Sequence, residues 1–197
     1  MEERFRALIE QFTFEGQCTD VAPYGFGHIN ETFAVTCKQK NGATCRYILQ
    51  RINHNVFKQP AAVMDNMTLI TAHLKEKILA DGGDPRRETI NLIPTHTGQN
   101  YYQNELGETW RAEVFIENAQ TYPIPKPPAH YYHAAQAFGR FGARLDDFPV
   151  QRLQTTIPDF HHTPKRFAAF LQAIQRDVVS RAQGVQAEID FILARQK

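Results

Sequence analysis

Between residues 32 and 37 the chain alternates strictly, with Phe33, Val35 and Cys37 set against Thr32, Ala34 and Thr36. That period of two predicts a β-strand with one covered face. The strand runs to Asn41-Gly42, a strong hairpin signal because both residues tolerate the positive φ of a type I′ turn. "CRYILQRIN", residues 45 to 53, is the return strand, and "CTDVAPY" ahead of the glycines is an earlier one. A helix follows, opened by Pro60, with Val63, Met67, Ile70, Leu74 and Ile78 at spacings of four, three, four and four. After "DGGDP", the segments "TINLIPT", "QNYYQN" and "ETWRAEVFIE" read as two or three more strands, with turns at Thr97-Gly98 and Leu106-Gly107. The first half is therefore an antiparallel sheet of about five strands with one helix inserted after the third.

The pattern then changes. "ENAQTYPIPKPP", residues 117 to 128, carries four prolines and reads as a stiff connector at a lobe boundary. Beyond it everything is helical. Tyr131, Ala134, Phe138, Phe141 and Leu145 make one stripe, and "FPVQRLQTTIPDFHH" is an irregular link. Residues 164 to about 194 form one long or two short helices, with Gly184 as the candidate break. The fold class is α+β: a sheet-bearing lobe over 1–116, a linker over 117–128 and the first helices of an α-helical lobe over 129–197.

Composition narrows the partners. With 42% hydrophobic residues in 197 there is enough apolar material for a core. Lys plus Arg is 22 against 21 Asp plus Glu, without long runs of one sign, so neither nucleic acid nor an anionic membrane is expected as a partner. Cys18, Cys37 and Cys45 are odd in number and form no C-x-x-C pair, which suggests three reduced thiols in a cytoplasmic protein. The charged N-terminal "MEERFRALIEQF" is helical in pattern and unlike a secretory signal.

Candidate chemistry begins at "YGFGHINETFAV", residues 24 to 35. A dinucleotide-binding glycine loop opens a helix, whereas this one opens a strand. Gly25 and Gly27, flanking Phe26 and followed by His28, permit backbone amides to approach phosphate oxygens as an anion-holding nest. Asn30 and Thr32 add candidate donors. His73 reads as a helix-flank residue, His161-His162 as a pair at a helix start, and Asp146-Asp147 as a solvated helix end.

The order of strands, glycine loop, helix, proline-bearing hinge and helices resembles the small lobe and the start of the large lobe of protein-kinase-like phosphotransferases. "GFGHINETFAV" followed by "RYILQRINHNVFKQPAAVMDNM" is similar to the aminoglycoside phosphotransferase and choline kinase superfamily, and within it to bacterial N-acetylhexosamine 1-kinases, over roughly residues 15 to 195. The family's third loop glycine is absent, with Asn30 near its place. The resemblance implies ATP as cofactor, with Gly25, Phe26, Gly27, His28, Asn30 and Thr32 around its phosphates. It implies a cation on the third strand. Arg51 is the candidate in place of the usual lysine, and its neighbour Gln50 lies on the opposite face, so which of the two meets the nucleotide stays open. A helix carboxylate should pair with that cation. Asp65, nearly opposite the apolar stripe, is the weak candidate. Adenine would take main-chain hydrogen bonds at Glu117, Asn118 and Ala119, with Phe115 and Ile116 along the base. Phosphoryl transfer in this superfamily also needs a catalytic-loop aspartate with a following asparagine, and a second aspartate for magnesium. None of the eight histidines begins such an H-x-D motif. The expectation is therefore the N-terminal portion of a sugar kinase that phosphorylates an N-acetylhexosamine at its anomeric oxygen. Its magnesium ligands and catalytic loop would follow Lys197, and its apolar helices would be prone to self-association. Two alternatives are a non-catalytic nucleotide-binding or protein-interaction module, and a kinase for choline, an aminoglycoside or homoserine.

Overall fold

The computed structural model describes residues 3–122, 124–125 and 127–196. The elements in chain order are α1 (Glu3–Ile9), β1 (Gln17–Pro23), β2 (Glu31–Lys38), β3 (Thr44–Arg51), α2 (Pro60–Ala80), α3 (Pro85–Glu88), β4 (Leu92–Ile93), β5 (Tyr102–Gln103), β6 (Thr109–Val114), α4 (Pro128–Arg144), α5 (Thr163–Arg176) and α6 (Gln186–Leu193). Six strands form one antiparallel sheet in the order β1-β2-β3-β6-β4, with β5 also pairing to β6. The count exceeds the expected five because "TINLIPT" and "QNYYQN" each contribute a two-residue strand. Pro94 follows the first of these and cannot donate to a ladder.

The β2–β3 hairpin departs from a type I′ turn. Gly42 has φ 83° while Asn41 is not at positive φ. Gly42 N–H donates to the Gln39 carbonyl, and the Asn41 side chain accepts from Ala43 N–H. A three-residue connection with glycine last serves the same twist.

Alternation along the strands gives the sheet two faces. Val35, Cys37, Tyr47, Leu49, Trp110 and Ala112 point to one, where Phe5, Leu8 and Ile9 of α1 and Phe12 complete a buried core. The other carries Thr32, Ala34, Ile48, Gln50, Arg111 and Glu113, and Arg111 reaches Met67 of α2. Leu74 and Ile78 of the expected α2 stripe are buried, joined by Ala62 and Met64 rather than by Val63.

Cys18 and Cys37 stand directly opposite each other on β1 and β2 and form a disulfide, leaving Cys45 free. This corrects the reading of three reduced thiols: the strand register, which residue counting does not reveal, places two sulfurs side by side.

Two compact units divide the chain, residues 1–156 and 157–197. In the first, Arg144 at the end of α4 bonds Asp81 and Glu88, and His73 of α2 meets the Arg144 carbonyl and Asp147. Asp147 is thus an ion-pairing residue rather than a merely solvated end. Tyr131, Phe138 and Phe141 of α4 are exposed. Pro123 and Lys126 of the connector lie outside the described residues. In the second unit, α5 begins as expected at the His161-His162 pair, with His162 capping Lys165 N–H. It ends at Asp177, in the left-handed region, whose carboxylate accepts from Arg181 and Ala182 N–H. The helix break therefore precedes Gly184, because the aspartate supplies the local hydrogen bonds that glycine lacks. Among the described residues no helix is long and apolar enough to cross a membrane.

Candidate functional site

The glycine loop joins β1 to β2, and its neck is closed by Tyr24 N–H donating to the Thr32 carbonyl at 2.9 Å. Gly25 sits at φ 80°, a conformation that strains any residue with a Cβ. Gly27 has ordinary φ, and an added Cβ would find its nearest atom 4.0 Å away. Gly25 is needed by the backbone itself, whereas Gly27 keeps space open. Tyr24, Gly25, Gly27, His28, Asn30 and Thr32 line an open cavity of about 460 Å³, and Phe26 projects from the loop, 81% exposed.

The base of the loop is pinned. Asn53, just after β3, donates its N–H to Asn30 Oδ1 and its side-chain amide to the Ile29 carbonyl, both at 2.9 Å. Asn30 and Ile29 thus tie the loop to Asn53, in the residue pair that follows β3.

Of the two candidates on β3, Gln50 shares a face with the loop. Its Nε2 donates to Thr32 Oγ1 at 2.7 Å, and its Oε1 accepts from Asn30 Nδ2 at 3.4 Å. The Thr32 hydroxyl proton remains free of that bond. Arg51 points to the opposite face, where Glu31 and Glu108 both bind its guanidinium beside Trp110 and Leu8. Sequence parity had left open which of the two meets a nucleotide; in the structure Gln50 lies on the face of Thr32 and Asn30, and Arg51 on the other face, paired with Glu31.

The expected helix carboxylate is also elsewhere. Asp65 is exposed and accepts from Gln154 Nε2 at 2.8 Å. An ion pair does lie on the loop face, but β6 supplies both halves. Arg111 Nε and Glu113 Oε1 lie 2.9 Å apart with side chains only 15% and 14% exposed, and without the alignment of a hydrogen bond. Burial pushes the Arg111 guanidinium below its ordinary value and the Glu113 carboxyl above its own, each opposed in part by the other's charge. Arg111 is directly opposite Gln50 in the β3–β6 register.

At the far end of the same face, the start of the loop meets the residue that follows β6. The Tyr24 ring packs edge-on against Phe115 at 5.1 Å, and the Arg46 guanidinium lies 3.9 Å over the other contact surface of that ring. Glu117 grips Arg46 with both carboxylate oxygens, and its main-chain carbonyl accepts from Arg87 Nη1 at 2.9 Å. Asn118 follows at φ 56°, and Asn118 and Ala119 are exposed.

Sequence reasoning singled out the loop, Gln50 and the connector and did not single out Arg111, Glu113, Arg46 or Tyr24. A signal for the first two existed. In "TWRAEV" charges alternate with Trp110, Ala112 and Val114, so a central strand covered on both faces must hide them. Among the described residues no group of three or more His, Cys, Asp or Glu side chains is arranged to hold a metal ion. No protein-family model matches the chain.

Proposed function

We propose that the chain is the nucleotide-binding portion of an ATP-dependent phosphotransferase of the aminoglycoside phosphotransferase and choline kinase type. Its acceptor would be a small hydroxyl compound, namely the anomeric oxygen of an N-acetylhexosamine. The observation that carries the nucleotide reading is the contact of Tyr24 with Phe115, which sets the start of the glycine loop against the residue that follows β6, two positions before the connector. The two regions assigned to phosphate and to base are far apart in sequence; this contact brings them near one another, each with its own cavity.

In this reading the loop amides and the Thr32 hydroxyl would face the phosphates and Gln50 orients Thr32. A base bonding at the Glu117 carbonyl competes with Arg87. Magnesium bound with the nucleotide supplies charge neutralisation at the β- and γ-phosphates. The acceptor rests on the sequence resemblance alone. Residues 1–197 contain no H-x-D motif with a following asparagine, which supports binding without turnover by this chain.

Isothermal titration of the chain with ATP tests the reading. Saturable binding at one site per chain is expected, together with protection of the Gly25–Thr32 amides from exchange. Absence of saturation up to millimolar ATP would sink it.

A further inference from the structure

We propose that Arg111 is the phosphate-binding cation of this chain, reached from the glycine loop through Gln50 and held by Glu113 when no anion is present. The inference rests on the nucleotide reading above and names the residue that reading lacks.

The first argument is register. Thr32 pairs with Gln50, and Gln50 pairs with Arg111, so the three form one row across β2, β3 and β6 on the loop's face. Lateral neighbours in a sheet are about 5 Å apart. The Arg111 backbone therefore lies about 10 Å from that of Thr32, two strands away on the same face.

The second argument is energetic. Arg111 is mostly buried, its Nε has no hydrogen-bond partner, and its Nη1 is directed at the Met67 sulfur, a weak acceptor. Replacing a buried ion pair by apolar residues is often neutral or stabilising, so stability gives no account of why two charges sit here. A phosphate group provides the fork of acceptor oxygens that a guanidinium matches and that Glu113 in its present alignment does not.

The third argument compares the described arginines around the sheet; Arg87 donates to the Glu117 carbonyl at the end toward the connector. Arg46 is bound through two bonds by Glu117 and lies against Phe115, and Arg51 is held by two carboxylates on the other face. Arg111 keeps an unbonded Nε on the sheet face that also carries Thr32 and Gln50.

The test is calorimetric titration of the full chain with ATP and with adenosine, for wild type, Arg111→Met, Arg111→Lys and Glu113→Gln, each checked by thermal melting. Arg111→Met should weaken ATP binding at least about tenfold, the low end expected for losing a charge-assisted bond, while adenosine binding stays unchanged. Arg111→Lys should recover part of the loss, and Glu113→Gln should tighten ATP binding. Should Arg111→Met fail to fold, Arg111→Met/Glu113→Leu removes both charges and should melt no lower than wild type with the same loss of ATP. ATP affinity equal to wild type in either arginine variant, or unimproved affinity in Glu113→Gln, overturns the assignment. Wild type that binds adenosine as well as ATP overturns the assignment alone. Wild type that binds neither overturns the nucleotide reading with it.

Discussion

The two faces of the sheet use the same strands for opposite purposes. On the α1 face, Leu49, Val35 and Ala112 are fully buried among aromatic neighbours, and the charged residues at its margin, Arg51, Glu31 and Glu108, satisfy one another. On the loop face, positions one residue along are Thr32, Gln50 and Arg111, a polar row whose buried pair is incompletely hydrogen-bonded. A covered polar row is costly where an apolar one would do, so the two faces differ in what they cover rather than in whether they are covered.

The largest expected effect that separates the faces is on stability. Leu49→Ala should cost about 2–5 kcal/mol in urea denaturation, because its side chain is fully buried in the core. Gln50→Ala, its neighbour, should cost only about 1 kcal/mol, the net worth of a hydrogen bond. Equal costs would break the division between the faces.

Within the loop the contrast is smaller. Gly25→Ala forces a Cβ into a left-handed backbone and should cost about 1–2 kcal/mol. Gly27→Ala meets nothing closer than 4.0 Å and should leave stability within about 0.5 kcal/mol. If Gly27 keeps space for an anion, that variant should still weaken ATP binding; a melt as low as that of Gly25→Ala would show that both glycines are purely structural.

The smallest effect is in pH dependence, where the faces should differ in sign. For Glu108, burial pushes the carboxyl up but bonds from Asn104 and Arg51 prevail and lower it. Its contribution is present above the ordinary carboxylate value of about 4.3 and is lost as pH falls through the lowered folded value. Glu113 is raised by burial, so its contribution is present below about 4.3 and lost as pH rises through the raised value. Urea midpoints followed across this range should lose less on acidification in Arg51→Met, and should lose part of their decline with rising pH in Glu113→Gln. Parallel profiles for both variants and wild type would contradict the assignment of these carboxyls to opposite faces.

Much of the fold was legible along the chain because it rests on local periodicity. The alternation from Thr32 to Cys37, the Pro60 start of α2 and the loop that opens into a strand are each set by residues within a few positions of one another. The short strands at Leu92 and Tyr102 were located but not delimited, since two paired residues carry too little pattern to fix their ends.

What the chain alone determined, then, is the order of elements, the two-sided character of each strand and the glycine loop as a candidate anion site, for these follow from backbone sterics and side-chain alternation. Tertiary structure decided which side each face was. It turned Arg51 toward α1 and Gln50 toward the loop, set Cys18 opposite Cys37, brought Tyr24 to Phe115, and put an arginine and a glutamate on β6 where a strand cation and a helix carboxylate had been sought. Register between distant strands and the side on which a helix lands are non-local, so no window of sequence contains them.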